Sequence, residues 1–296
     1  MRKIGFIGLG AMGLPMAANL ARRQMPIVGF DVRASSIAKL EDEGGRGAPS
    51  VKEAANGADV LVLMVVNADQ VDQVLFEGGT LDVLAPDATV IVMATCAPAR
   101  VAAMAARVEA TGRGFIDAPV SGGVVGATAG SLTIMAAAPT PVFAKYRPLL
   151  EALGSKLFHV GETPGQGAAM KTVNQLLCGV HIAAAAEGLA LAEQAGVDPA
   201  LALEILSGSA ASSWMLQNRG PRMVADDGAV TSALDIFVKD LGIVLDAGRA
   251  ERMGLPLSAA AHQLFLAASG FGLGARDDSQ VIELYRALRR PKNPAE

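Results

Sequence analysis

The sequence predicts an α/β fold, in which an N-terminal Rossmann domain with a doubly wound, mostly parallel sheet is followed by an all-α C-terminal domain. Two observations predict it. Up to about residue 160, short apolar runs bounded by Gly, Pro, Asp or Asn alternate with amphipathic helical stretches. Beyond residue 165, apolar residues recur at helical spacing without a strong breaker. We therefore expect domains at residues 1–163 and 164–296.

The individual elements follow from the same two periodicities. Continuous apolar runs predict strands at Lys3–Ile7, Ile27–Phe30, Val60–Val65, Thr89–Met93, Gly114–Asp117 and Leu132–Ala136. The stretches between them predict helices at Leu14–Ala21, Ser35–Glu43, Val51–Ala55, Ala68–Phe76 and Ala99–Ala110. In the second domain we expect helices at Gln166–Ala195, Ala233–Met253, Ser258–Ser269 and Asp278–Leu288. We expect a further helix that begins at Pro199, with Asp198 as its N-cap residue.

Composition excludes several classes of protein. Because 51% of the 296 residues are hydrophobic and 18% are charged, a packed core is expected and disorder is not. The net charge is −4, so we expect no nucleic acid partner. The one basic cluster suits a solvated helix end and consists of Arg286, Arg289, Arg290 and Lys292. Apolar runs such as Val60–Val66 are too short to span a bilayer, and no signal peptide is evident, so we expect a cytoplasmic protein without a membrane partner.

Cysteine and histidine positions give no sign of a metal site. Cys96 and Cys178 sit in apolar surroundings without a CxxC pattern, which predicts two buried thiols. His159, His181 and His262 lie far apart and form neither HxH nor HExxH. We therefore expect no bound metal.

The first chemical motif is a glycine-rich loop between the first strand and the first helix. It has the pattern GxGxxG and comprises Gly8, Leu9, Gly10, Ala11, Met12 and Gly13. Glycines at this spacing permit a tight turn and let backbone amides approach a pyrophosphate, which then faces the N-terminus of the helix. Its place between a strand and a helix makes dinucleotide binding the favoured interpretation over a glycine turn without a ligand.

Asp31 ends the second predicted strand, 23 residues after Gly8. A carboxylate there can accept hydrogen bonds from the adenosine ribose and repels a 2′-phosphate, so it predicts NAD, with NADP less favoured. Arg33 lies close enough to weaken that preference. The alternative is that Asp31 only caps the next helix.

Two further stretches carry candidate catalytic groups. On a helix, Lys171, Asn174 and Gln175 share one face, and the apolar residues around them would bury the lysine. A buried lysine has a lowered pKa and can serve as a general acid or base, whereas a surface lysine would not. The motif of Ser121, Gly122 and Gly123 exposes amides and a hydroxyl that suit a carboxylate; a plain turn closing the strand is the alternative.

Four stretches together resemble the β-hydroxyacid dehydrogenase family, to which 3-hydroxyisobutyrate dehydrogenase belongs. They occur in the order of the family and span nearly the whole chain: GFIGLGAMGLPMAANL from Gly5, DAPVSGG from Asp117, GQGAAMKTVNQ from Gly165 and FVKDL from Phe237. The helix running from Asn174 to Glu187 is most similar to the branch that acts on L-threonate.

The resemblance implies a set of roles. Lys171 would be the catalytic acid/base, Ser121, Gly122 and Gly123 would hold the substrate carboxylate, and Asn174 with Gln175 would orient the substrate. The cofactor would be contacted by Val65, Val66, Gln70, Thr95 and Lys239. It also implies a homodimer or homotetramer that oxidises a short hydroxy acid by hydride transfer. The first candidate substrate is L-threonate, and the second is 3-hydroxyisobutyrate or a semialdehyde-type substrate. A non-catalytic NAD sensor and an imine reductase on the same scaffold are the competing hypotheses.

Overall fold

The computed structural model describes residues 2–225 and 228–288, so Arg289, Arg290 and Lys292 of the basic cluster lie outside the described residues. The chain forms two compact units, Met1–Lys171 and Thr172–Glu296. The boundary falls inside a single helix of 29 residues. The division expected at residues 163 and 164 lies just before the start of that helix.

The first unit contains a nine-stranded sheet in the order β3-β2-β1-β4-β5-β6-β8-β7, with β9 beside β8. Its strands are β1 Ile4–Ile7, β2 Ile27–Phe30, β3 Arg46–Gly47, β4 Val60–Leu63, β5 Thr89–Val92, β6 Gly114–Asp117, β7 Val120–Ser121, β8 Thr133–Ala137 and β9 Lys156–Gly161. The first six strands are parallel, β8 is antiparallel to β6 and β7, and β9 is parallel to β8. This confirms the predicted doubly wound, mostly parallel sheet.

Helices cover the two faces of this sheet. They are α1 Gly13–Arg22, α2 Ala34–Asp42, α3 Val51–Ala55, α4 Ala68–Asp72, α5 Thr80–Val83, α6 Pro98–Glu109, α7 Gly123–Ala129 and α8 Thr140–Leu153. Val60 and Val62 of β4 belong to one hydrophobic cluster, and Leu61 and Leu63 belong to another. Because such strands are buried on both faces, their sequences are continuous apolar runs.

The second unit is helical. Its elements are α9 Gln166–Gln194, which begins in the first unit, α10 Pro199–Ser207, α11 Trp214–Val224, α12 Leu234–Ala250, α13 Pro256–Ala268 and α14 Ile282–Ala287. As predicted, Asp198 caps α10: its Oδ1 accepts a hydrogen bond from the Leu201 amide at 2.9 Å, and Pro199 is the first helical residue. In the described part of this unit the only β pairing is one bridge between Ala233 and Asp277.

Two predicted helices are wrong in part. The stretch predicted as one helix over Ala68–Phe76 is α4 followed by a π-helical turn at Gln73–Glu77. The helix predicted at Asp278–Leu288 begins as a 3₁₀ turn over Asp278–Val281. The Asp277 carboxylate accepts a hydrogen bond from the Ser279 amide there, which holds the tighter first turn.

Helix α9 is long and apolar enough to cross a membrane by length and composition, a property that the predicted apolar runs lacked. Half of its most apolar stretch is buried inside the structure, and core helices of soluble proteins pass the same test. Cys178 on this helix and Cys96 after β5 are both buried, as expected.

Candidate active site

The glycine-rich loop follows β1, next to β4, at the point where the strand order reverses. In open α/β sheets this is where ligands bind. Gly8 has φ +94°, and a Cβ there would lie 2.3 Å from the Met64 carbonyl oxygen. A Cβ at Gly13 would lie 1.9 Å from the Gly8 carbonyl oxygen. Only glycine therefore fits at these two positions.

Gly10 is the glycine of this loop at which a side chain would meet the least obstruction. The nearest atom to a Cβ there is Arg33 Nη2, at 3.5 Å. Helix α1 begins next to it with Met12 at the N-cap position, and no side chain caps it. An open approach to the backbone beside an uncapped helix N-terminus fits the pyrophosphate of a dinucleotide.

Asp31 ties the loop to the end of β2. Its Oδ2 accepts a hydrogen bond from the Leu9 amide at 2.8 Å, and its Oδ1 accepts from the amide and Nε of Arg33 at 2.9 and 3.2 Å. The alternative that Asp31 caps the next helix is wrong, because the N-cap residue of α2 is Arg33 and no side chain caps that helix. The Arg33 side chain is 60% exposed and could meet a phosphate.

The other predicted cofactor contacts follow β4 and β5. Val65 and Val66 follow β4 after Met64, and Thr95, which is half-buried, follows β5. Gln70 Oε1 accepts a hydrogen bond from the Val66 amide at 2.9 Å, so this side chain shapes the loop itself. Val65, Val66 and Thr95 follow the carboxyl ends of β4, which is adjacent to β1, and of β5, the next strand, where the parallel sheet places its loops. Gln70 lies on α4.

The segment of Ser121, Gly122 and Gly123 is more structured than the plain turn that was the alternative. Ser121 ends β7, Gly122 is the N-cap residue of α7, and Gly123 is the first residue of that helix. Gly122 and Gly123 have φ of +130° and +61°, a conformation that favours glycine. The three residues are half-buried, and a Cβ at Gly123 would meet nothing within 4 Å.

Lys171 is buried, with 7% of its surface exposed, so the alternative of a surface lysine is wrong. It is the last residue of the first unit, whereas Asn174 and Gln175 belong to the second. All three lie on α9 with the spacing of one helix face. Asn174 Nδ2 lies 3.5 Å from Cys178 Sγ.

Asp240 is a functional candidate to which the sequence assigned no role. It is 2% exposed, and its Oδ2 accepts a hydrogen bond from Gln175 Nε2 at 2.5 Å. Its Oδ1 pairs with the ammonium group of Lys239. A single buried carboxylate therefore holds two predicted site residues of the second unit, Gln175 and Lys239.

Asp117, at the end of β6, is a second carboxylate that received no role. It is 1% exposed, and its Oδ2 accepts hydrogen bonds from the amides of Gly165 and Ala168 at 2.9 and 2.8 Å. Burial raises the pKa of Asp117 to about 6, against the lowering effect of bonds from the amides of Ala168, Gly165 and Gly167. This carboxyl group holds the first turn of α9, the helix that carries Lys171.

Within residues 2–225 and 228–288, no group of three His, Cys, Asp or Glu residues could hold a metal ion.

Comparison with known proteins identifies relatives over the whole chain. Residues 3–161 match the family model of the NAD binding domain of 6-phosphogluconate dehydrogenase, and residues 165–285 match the NAD-binding model of NADP-dependent 3-hydroxyisobutyrate dehydrogenase. The L-threonate dehydrogenase of Cupriavidus necator is 42% identical over 98% of both chains. The 2-hydroxy-3-oxopropionate reductase of Escherichia coli (strain K12) is 32% identical over 98% of this chain and 99% of its own. A crystal structure described as 3-hydroxyisobutyrate dehydrogenase from Salmonella typhimurium superimposes with a TM-score of 0.91 at 41% identity, covering 96% of this chain and 100% of that one.

Proposed function

Because this chain belongs to the 3-hydroxyisobutyrate dehydrogenase family, and is an NAD-dependent hydroxy acid dehydrogenase, we propose that its substrate is L-threonate. The observation that carries the choice of substrate is the 42% identity to an L-threonate dehydrogenase over 98% of both chains. The reaction oxidises one hydroxyl-bearing carbon of the sugar acid to a carbonyl group.

Most of the proposed cofactor contacts belong to the first unit, and Lys239 is the one that belongs to the second. The backbone around Gly10 and the N-terminus of α1 bind the pyrophosphate, and Asp31 accepts hydrogen bonds from the adenosine ribose. Val65, Val66, Gln70 and Thr95 line the same edge of the sheet. Bound NAD supplies the hydride acceptor. Arg33, which is paired with Asp31, lets some NADP compete.

Lys171 is the proton acceptor of the proposed reaction. The amides and hydroxyl of Ser121, Gly122 and Gly123 hold the substrate carboxylate, and Asn174 and Gln175 orient the rest of the molecule. The Lys171 amine takes the hydroxyl proton as the hydride leaves the same carbon, and in the reverse direction it returns that proton. Its burial keeps bulk water from exchanging with the reacting group.

The test is a panel of short hydroxy acids with NAD or NADP, followed by nicotinamide absorbance. We expect the highest kcat/KM with L-threonate and NAD. Lys171→Ala should lower kcat by roughly 10²- to 10⁴-fold, the usual contribution of a general acid or base, with NAD affinity unchanged. Lys156→Ala, at an exposed lysine of β9, is the matched control and should behave as wild type.

Each failure in this panel has a distinct meaning. Substantial turnover by Lys171→Ala would refute the proton-transfer role. NAD binding without turnover of any acid would favour the non-catalytic sensor. A preference for 3-hydroxyisobutyrate would favour the second candidate, which is supported by the name of the Salmonella typhimurium structure at 41% identity.

We also propose that the chain is a cytoplasmic homodimer or homotetramer that assembles through its helical unit, with no nucleic acid or membrane partner. Exposed apolar side chains on α9 support the assembly: Val173, Leu177 and Leu191 are 51%, 49% and 68% exposed. Large exposed apolar surfaces of this kind mark interfaces. Light scattering of the purified protein, with Leu191→Glu as the disrupting variant, tests the oligomeric state; a monomeric wild type would overturn the proposal.

A further inference from the structure

Helix α9 lacks a local capping side chain of the usual kind. Ser, Thr, Asp or Asn just before a helix normally accepts its first amides, and here Gly165 occupies that place. The acceptor is Asp117, 48 residues earlier at the end of β6, which bonds the amides of Gly165 and Ala168. A strand therefore supplies the N-terminal cap of the helix that bears Lys171.

The first turn of α9 also packs closely against the sheet at Gly167. A Cβ at Gly167 would lie 2.6 Å from the Met135 carbonyl oxygen, 2.8 Å from the Asp117 carbonyl oxygen and 3.0 Å from Asp117 Cγ. Contacts below 3.0 Å at a Cβ require the backbone to move. The position of this turn is thus set twice, by the carboxylate of Asp117 and by the absence of a side chain at Gly167.

Lys171 lies on the helix face that this contact fixes. It follows Gly167 by four residues and Ala168 by three, so it stands one turn above them on the same side of α9. An α-helix is stiff over one turn, and a displacement of its first turn is carried directly to the next. A shift of the first turn of α9 would therefore move Lys171 as well.

We propose that Asp117 is a positioning residue for the reaction: by capping α9 from the sheet, it fixes the axial position and rotation of the helix and so aligns the amine of Lys171 with the substrate. The inference rests on the proposed role of Lys171. All the hydrogen bonds that define the anchor run from backbone amides of Gly165, Gly167 and Ala168 to one carboxyl group. The hydrogen-bonded part of the anchor therefore runs through the Asp117 side chain, beside the close packing at Gly167.

The first test compares Asp117→Ala with Asp117→Asn in the full-length enzyme at a temperature where both are folded by circular dichroism. The asparagine keeps an acceptor oxygen for the Gly165 and Ala168 amides, whereas alanine removes it. Because misplacement of a reacting group by about 1 Å can cost 10²-fold, we expect Asp117→Ala to lose about 30-fold or more in kcat. Asp117→Asn should recover most of that loss, and KM for NAD should stay within about twofold in both.

The second test displaces the same turn without touching the carboxyl group. Gly167→Ala must push α9 away from β6 and β8, and we expect it to lose about tenfold or more in kcat. Gly188→Ala is the matched control on the same helix, because a Cβ there meets nothing within 4 Å, and its kcat should equal that of wild type.

The outcomes separate this proposal from the function on which it rests. If Asp117→Ala lowers Tm but keeps wild-type kcat, Asp117 is a structural cap only and the proposal is overturned. If Asp117→Ala does not fold, the pair Gly167→Ala and Gly188→Ala decides: equal kcat in both overturns it. If wild type oxidises no hydroxy acid, or Lys171→Ala keeps its turnover, the proposed function has failed, and with it the role of Asp117.

Discussion

The two units of this dehydrogenase bury their carboxylates in different ways. In the first unit, Asp117 is surrounded by backbone amides. In the second, Asp278 forms a two-pronged pair with Arg219, whose Nε and Nη2 donate at 2.9 and 2.8 Å, and neighbouring Asp277 pairs with Arg222 at 2.9 Å. At these sites the sheet unit relies on neutral backbone donors, and the helical unit adds charged side chains to such donors.

Asp117 and Asp277 accordingly respond differently to pH. Burial raises the pKa of Asp117 to about 6, because neutral amides only partly offset the loss of hydration. Burial acts in the same direction on Asp277, but hydrogen bonds from the Thr231 amide, Ser279 and Arg222 outweigh it and hold the pKa of that carboxyl well below its usual range. Acid should therefore weaken the network around Asp277 and relieve the cost of burying Asp117.

The largest effect on stability is expected from breaking the ion pair between Arg219 and Asp278. Arg219→Ala leaves Asp278, which is fully buried, without its guanidinium partner, and should lower the free energy of unfolding by about 3–5 kcal/mol. Urea unfolding measures the loss. Arg147→Ala, which breaks the exposed pair with Glu151, is the control and should cost less than about 0.5 kcal/mol. Equal costs for the two variants would contradict the comparison between the units.

A smaller effect, with a defined pH dependence, is expected at Asp117. The folded carboxyl has a pKa of about 6 against 3.8 for an ordinary aspartate, so the folded chain keeps a proton that the unfolded chain releases. The stability contributed by Asp117 is therefore present below about pH 4 and is lost as the pH rises through about 6, a change of roughly 3 kcal/mol.

Asp117→Asn removes this titration. Urea unfolding of the variant and of wild type at several pH values should give a difference that shifts in favour of the variant by roughly 3 kcal/mol from pH 4 to pH 7. A difference that is independent of pH would contradict this and show that the backbone donors fully offset the cost of burying the carboxylate.

The smallest effect concerns cofactor choice at the phosphate loop. Asp31→Asn keeps an acceptor for the Leu9 amide but removes the charge, and should lower the ratio of kcat/KM for NAD over NADP about tenfold, or 1.4 kcal/mol. Arg33→Ala, which removes the exposed cation beside Gly10, should move the ratio in the opposite direction. Steady-state kinetics with both cofactors checks the pair. An unchanged or raised ratio in Asp31→Asn would refute the role of Asp31, and an unchanged or lowered ratio in Arg33→Ala would refute that of Arg33.

The parts of the fold that the sequence predicted are those with a strong local pattern. Strands such as β4 are continuous apolar runs because both faces are buried. Strands β3 and β7 have two residues each, which is too short for any periodicity, and β9 is largely exposed and carries Lys156 and His159. Helix α8 escaped prediction because Pro148 lies inside it.

The site residues also divide into those that a local sequence pattern reveals and those that it does not. The phosphate loop and Asp31 could be recognised because their chemistry lies in one strand–turn–helix segment. The roles of Asp117 and Asp240 could not, because their partners lie 48 and 65 residues away in the chain. The role of such a buried carboxylate can be recognised only when the fold shows which hydrogen-bond donors surround it.

The close packing at Gly167 also limits how this gene can change. Every single-base substitution in a glycine codon that yields another amino acid adds at least a Cβ, and a Cβ at Gly167 has no room beside the Met135 and Asp117 carbonyl groups. Gly188, twenty-one residues further along α9, faces open space and carries no such restriction. In a library of random point mutants, active clones should therefore vary at codon 188 and retain glycine at codon 167.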